Sequence, residues 1–416
     1  MSEPKVLEST LSLNFDESAY ENAHDYPTLY RAMRLEPRRQ HPFWIYESIQ
    51  KQCRLVGEAL EIIHPIAERI AAAFIAQGKK RILFSGIGAS YHLAASAAHV
   101  FSEVTGIQAD FVDSSEALLS GLVYDYPDSL VVGLSASGNT LEAVEHLRLA
   151  REAGALPVAE IATATLVVNL EATRLVQECE LSFVAPGGYG YLWDYTTRLA
   201  PLVYLATELA LQLKRTKERS YRTRRLIQLR DDLSHISSLM EQTVQSIDAR
   251  CRSIGEGLLP LRAAVVPASG NLLPVAWEMT LRFEELAHFP ARGRPMVDFL
   301  HGAVGYLAED IAAIILAAPG KTYPFSLRVA HVTQALKTPC VAVVEEGDTE
   351  ISPLTDEIVR LPVTHPVLRP FLYLLPAQMI PYYVEVSRPG GNPDIQRTDQ
   401  PRYGRAFDVA YPPKSH

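Results

Sequence analysis

Cysteine is scarce in this sequence and lies scattered. Cys53, Cys179, Cys251 and Cys340 match no metal-site or redox spacing, so they read as free thiols of a reducing cytoplasm. The twelve histidines include no HxH or HxxxH pair. Such a set predicts no metal site, and no organic cofactor is expected either. Basic charge is outnumbered, with 39 lysines and arginines against 48 acids and a net charge of −9. A general nucleic-acid binder needs a basic surface, so that class is excluded. No apolar stretch of ~18 residues is available to span a membrane. The start, "MSEPKVLESTLSLNFDESAYENAHDYP", is polar and acidic and does not read as a secretory signal. There is no GxxxxGK[ST], so a nucleotide P-loop is not indicated. Residues 1–60 hold no convincing helix-turn-helix, which argues against a DNA-binding regulator.

What is present is an ordinary globular composition, 48% hydrophobic and 21% charged, which argues against disorder. At ~150 residues per domain the chain has room for two or three. After an irregular extension to about residue 40, "WIYESIQKQCRLVGEALEIIHPIAERIAAAFIAQ" has helical spacing, and Pro65 predicts a break into two helices. "RILFSG", "ADFVDS" and "LVVGLS" read as strands, and "ASYHLAASAAHVFSEVTG" and "TLEAVEHLRLAREAGA" as helices with glycine stops. Strands alternating with helices predict a parallel sheet covered on both faces.

The second half repeats the first. Gly88 in "GIGAS" and Gly270 in "PASGN" are 182 residues apart, and so are Gly138 in "SASGNT" and Gly320 in "AAPGKT". One offset at two loops predicts duplicated domains. Between the halves, "LKRTKERSYRTRRLIQLRDD" reads as a solvated basic linker helix.

Two loops stand where open parallel sheets bind ligands, beyond the strands' carboxyl ends. "SGIGAS" and "LSASGNT" each precede a helix, whose first N–H groups are unpaired and carry partial positive charge. Glycine admits close approach and the hydroxyls add donors, which suits a phosphate dianion. The alternative is a plain helix cap by Ser137 or Asn139. In the second half "EMTLRFEEL" puts Glu278, Arg282 and Glu285 on one helix face, which by itself reads as an exposed ion-pair stripe. His301 precedes Gly302 in a loop, where a solvated or capping histidine is the plain reading.

The motifs "GAS" at 88–90, "SASGNT" at 135–140, "WEMTLRFEE" at 277–285, "VDFLHGA" at 297–303 and "DQPRYGRA" at 399–406 occur in one order. In that order the chain resembles the SIS (sugar isomerase) family in its double-domain form. It looks most like the isomerase half of glutamine–fructose-6-phosphate aminotransferase. The resemblance implies an α/β fold of two tandem SIS domains, each a parallel sheet flanked by helices in a flavodoxin-like three-layer αβα arrangement. The expected organisation is an extension over 1–42, SIS domain 1 with leading helices over 43–213, and a basic linker and helix over 214–255. SIS domain 2 then covers 256–392 and a tail 393–416.

The resemblance also implies site residues. Gly88, Ser90, Ser135, Ala136, Ser137, Gly138 and Thr140 match the family's phosphate loops, with Ala136 in place of a glutamine. Glu285 matches the glutamate that moves a proton between C1 and C2. His301 matches the ring-opening histidine, which in this family can come from a neighbouring subunit, so a homodimer or higher homo-oligomer is expected. Arg282 and Glu278 are possible substrate contacts. The departures matter too. The family's Schiff-base lysine aligns with Ala406, and Trp193 and Asp194 replace part of its S-T-K. No glutaminase domain precedes the first SIS domain, so no glutaminase activity is expected. The fructosamine-6-phosphate deglycases are a similar branch, and there Asp194 or Arg282 would be candidates to meet an amino-acid part. The partner expected is a phosphorylated sugar or aminosugar, with no nucleic acid and no membrane. A non-catalytic sugar-phosphate-binding regulator is the alternative.

Overall fold

A computed structural model describes residues 38–120, 124–162, 173–186, 194–215 and 221–395, with residues 403, 405, 406 and 409 beyond them. Most of the expected N-terminal extension, Trp193 and residues 399–402 of the last motif lie outside the described residues.

The first described helix, α1 (Trp44–Ala76), is continuous, which corrects the expected break at Pro65. Pro65 is exposed, so the carbonyl it leaves unpaired, that of the exposed Glu61, faces water. On the opposite face Ile63, Ala67 and Ile70 are buried and hold the helix together. Its first N–H groups are capped from far along the chain, where the Asp394 carboxylate accepts from Trp44 at 2.8 Å and Ile45 at 3.0 Å.

The first sheet follows the expected alternation: β1 (Arg81–Gly86), α2 (Ala89–Thr105), β2 (Gln108–Asp113), α3 (Ser114–Leu119), β3 (Ser129–Leu134), α4 (Leu141–Glu152), β4 (Leu156–Ala162), α5 (Arg174–Gln177) and β5 (Leu181–Ala185). The strands are parallel in the order β2-β1-β3-β4-β5. Helices α6 (Tyr195–Arg215) and α7 (Tyr221–Leu258) lead to the second half. This contains β6 (Ala263–Ala268), α8 (Leu273–Glu285), β7 (Ala291–Pro295), α9 (Met296–Leu300), β8 (Ile311–Leu316), α10 (Tyr323–Leu336), β9 (Cys340–Glu345), β10 (Glu357–Leu361) and α11 (Arg369–Val386). Its parallel sheet runs β10-β9-β8-β6-β7, the same order as the first when read from the other edge.

The duplication is visible residue by residue. β1 and β6, and β3 and β8, are related by the offset of 182 read from the glycines. Gly88 and Gly270 share a left-handed backbone, with φ of 58° and 61°. Each half also sends an arginine from the helix after its fifth strand to a glutamate on its fourth. Arg198 of α6 bonds Glu160 of β4, and Arg369 of α11 bonds Glu345 of β9.

The linker reading needs correction. One face of α7 is core: Leu226, Leu229, Leu233, Ile236, Met240, Val244, Ile247, Cys251, Ile254 and Leu258 are all buried. They recur at helical spacing, and all but Leu226 join the inner faces of both sheets in one apolar cluster with α1, α6 and α11. The basic residues sit at the start of the helix and hide this stripe in the sequence. The outer faces of the two sheets carry separate, smaller clusters.

On the outer face of the first sheet, His146 of α4 is fully buried. Its Nδ1 lies 2.6 Å from Ser85 Oγ and its Nε2 3.0 Å from Tyr126 Oη. Burial pushes its pKa down to about 4. An unfolded histidine takes up its proton near pH ~6.5. Between that value and about 4 the unfolded chain binds more protons, so acidification across this window costs about 3 kcal/mol of stability. Urea unfolding at a series of pH values measures it, and His146→Gln is expected to flatten the slope between pH ~6.5 and ~4.

Candidate active site

The loop after β3 is built as a cradle. Ser135 is buried, and its Oγ accepts from the Gly138 N–H at 3.0 Å and lies 3.1 Å from Thr140 Oγ1. Gly138 has φ of 66°, and a Cβ there would run into Thr173 Cγ2, so only glycine fits. The capping alternative fails. α4 has Thr140 as its N-cap residue and no side-chain cap bond; Asn139 Oδ1 accepts from Arg174 N at 3.2 Å, and Ser137 Oγ from Asn139 N at 3.2 Å. The N–H groups of Ala136, Ser137 and Thr140 take part in none of the described hydrogen bonds, and all three residues are partly open. Ser90, at the start of α2, stands on the neighbouring strand-to-helix turn, where Gly86 leaves room for its backbone.

The duplicated helices α2 and α8 pack against each other and bring the two halves together. Tyr91 stacks on Trp277, with ring centroids 6.1 Å apart, and His92 Nδ1 lies 3.1 Å from Glu278 Oε2. The expected stripe on α8 is therefore buried, not exposed. Glu278 is 0% and Arg282 2% exposed. Arg282 gives Nε to Glu278 at 2.7 Å and Nη1 to Glu285 Oε2 at 2.7 Å. Glu278 and Arg282, read from the resemblance as possible substrate contacts, thus stand paired behind Glu285. Burial pushes Glu278 up, but Arg282 and His92 outweigh it and its pKa is lowered. Glu285 differs: its side chain keeps 35% of its surface open, and burial raises its pKa against the pull of Arg282.

A second ion-pair set adjoins the first. Arg198, 2% exposed, donates Nε at 3.0 Å and Nη2 at 2.6 Å to the fully buried Glu160. Its Nη1 donates to Ser90 Oγ at 3.1 Å. Asp194, just before α6, is buried with Oδ1 3.9 Å from Arg198. Burial raises the pKa of both Glu160 and Asp194. Sequence reasoning missed Arg198, Glu160 and His92. A lone acid in the apolar strand "LPVAEIA" was the available signal for Glu160.

His301 caps the end of α9, exposed, with no described hydrogen bond to Glu285. Ala406 is exposed. A cleft of about 450 Å³ opens on the adjoining flank of α8, lined by His92, Trp277, Glu284, Arg292 and Arg294 among others. Neither Glu285 nor residues 135–140 line it. Among the described residues no group of metal-ligating side chains occurs. No described helix is long and apolar enough to cross a membrane.

Comparisons with known proteins converge on one family. The SIS domain model matches residues 75–166 and 261–388. The glutamine–fructose-6-phosphate aminotransferase of Thermococcus kodakarensis is 27% identical over 367 residues, 86% of this chain and 57% of that protein. Its counterpart in Chlorobaculum tepidum is 26% identical, over 80% of this chain and 52% of that protein. The chain thus spans little more than half the length of these curated relatives. Among solved structures, the C-terminal domain of glucosamine-fructose-6-phosphate aminotransferase from Francisella tularensis matches with a TM-score of 0.73 at 18% identity, covering 83% of this chain and 96% of that one. Tagatose-6-phosphate ketose/aldose isomerase from Escherichia coli matches with a TM-score of 0.66 at 18% identity, covering 86% and 96%. At these identities the structures speak for the fold alone, which is that of two tandem parallel sheets. With both of its halves matched by the family model, the chain belongs to the SIS domain family.

Proposed function

We propose that the chain moves a proton between C1 and C2 of a phosphorylated ketose or aminosugar, as an isomerase or a fructosamine-6-phosphate deglycase. The state of Glu285 carries this reading. One of its oxygens is held by Arg282, its side chain is one-third open at 35%, and burial raises its pKa. The reaction needs one base that takes a proton from a carbon and returns it to the next. A carboxylate with a raised pKa suits that work near neutral pH. Ser90, Ser135, Ser137 and Thr140, with the N–H groups of 136, 137 and 140, would hold the phosphate. Gly88 and Gly138 let the backbone come close. With Ala406 where the family's lysine stands, no enzyme imine forms in this mechanism.

Ring opening falls to His301, acting in the site of a second copy. Mixing Glu285→Gln with His301→Ala subunits tests this. Random dimers restore about a quarter of wild-type activity, because half are mixed and each mixed dimer holds one complete site. No recovery, with dimers shown to exchange, places the histidine elsewhere.

The cradle is tested with fructose and fructose 6-phosphate. Ser137→Ala is expected to weaken binding of the phosphate ester about tenfold or more, the loss of one hydrogen bond to a charged group. Fructose binding stays as it was. Unchanged affinity for fructose 6-phosphate puts the phosphate in another loop. Tight binding without turnover of any ketose phosphate favours the regulator instead.

A further inference from the structure

We propose that Asp194 takes up a proton from solvent when the phosphate group enters the loop, and so keeps both buried arginines on their glutamates in the loaded site. This rests on the phosphate-cradle reading above. Asp194 is a positioning residue, since it acts through Arg198 and Arg282.

The geometry isolates it. Asp194 is 6% exposed, and its Oδ2 has no hydrogen-bond partner. Its Oδ1 is 3.9 Å from Arg198 Nη1, too far for a hydrogen bond. Arg198 gives Nε and Nη2 to Glu160 and Nη1 to Ser90. Among the described hydrogen bonds, Arg282 donates to Glu278 and Glu285. Both guanidiniums are therefore committed elsewhere. The charged groups bearing on Asp194 are Arg198 on α6, and Arg282 and Glu278 on α8. Glu160 on β4 and His92 on α2 are joined to these.

With every acid ionised, Glu160, Asp194, Glu278 and Glu285 place four negative charges against two guanidiniums. A buried excess of that kind is costly. A proton on Asp194 removes one of these charges. At rest several effects oppose one another, and Glu278 sides with the neutral acid while Arg198 and Arg282 side with the anion. Burial favours the neutral acid, and the start of the 21-residue α6 favours the anion. A dianion held at Ser90 adds negative charge beside Arg198 and tips the balance to the acid. The proton comes from water, and no bond of the ligand changes. By linkage, affinity for the dianion then falls as pH rises.

Sulfate is the probe, because it carries no titrating proton near neutral pH. Its binding to the full chain is measured by calorimetry in buffers of different ionisation enthalpy, from about pH 6 to 9, on both sides of neutrality. Wild type is expected to take up close to one proton per site at its maximum, and Asp194→Asn none. If that variant fails to fold, infrared difference spectra of wild type serve instead, where sulfate must bring up the C=O stretch of a protonated carboxyl group. Saturable sulfate binding without proton uptake at any pH overturns the role of Asp194 and leaves the cradle standing. So does uptake that persists in Asp194→Asn. If neither sulfate nor fructose 6-phosphate binds, the cradle reading falls and this one with it.

Discussion

Glu285→Gln is expected to lower kcat for proton transfer between C1 and C2 by about 10²–10⁴-fold, the usual contribution of a positioned base. Binding and stability stay near wild type. Glutamine has the same shape, and its carbonyl oxygen still accepts from Arg282 Nη1, which reaches Glu285 at 2.7 Å. Only the capacity to accept and return a proton is lost. The same logic sets the pH dependence. In the proposed reaction the base works ionised, and the pKa of Glu285 lies above the ordinary glutamate value of 4.5. Activity is therefore expected to fall on acidification earlier than a solvated glutamate would allow, and kcat/KM against pH measures this. A variant that loses affinity and keeps kcat would make Glu285 a binding residue.

Arg198→Met is expected to cost about 3–5 kcal/mol of stability, because it leaves a buried acid without its partner. Glu160 is 0% exposed and takes three of the described hydrogen bonds from that guanidinium. The pair joins the first sheet to α6, so its loss is felt across the first half. Replacing both partners, Glu160→Leu with Arg198→Met, is expected to recover most of the loss, since an apolar pair leaves no orphaned charge. Urea unfolding of the two single variants and the double variant gives the coupling. An additive result would mean that the pair contributes nothing as a pair.

The sheets were legible because parallel strands buried on both faces read as short apolar runs, and "RILFSG" and "LVVGLS" do so. The duplication was legible because two left-handed glycines must stay where the turns need them. α7 was misread because its basic start dominates the eye, while its apolar stripe pays off only once both sheets are in place. Pro65 was misread because proline breaks a helix only where its lost hydrogen bond cannot be given to water. The stripe of Glu278, Arg282 and Glu285 was visible as spacing, but spacing does not say whether a face meets solvent. Here it meets α2, brought over by the pseudo-symmetric packing of the two halves. Arg198 and Glu160 lie 38 residues apart, and no local pattern joins them.

The most direct measurement is proton NMR of fructose 6-phosphate and, separately, a 6-phosphofructosyl amino acid, each incubated with the protein in D2O. Deuterium at C1 or new aldose phosphate from the first, or free amino acid released from the second, is the expected result, absent with Glu285→Gln. Unchanged spectra for both substrates, with binding shown by titration, would contradict the assignment of Glu285 as a base.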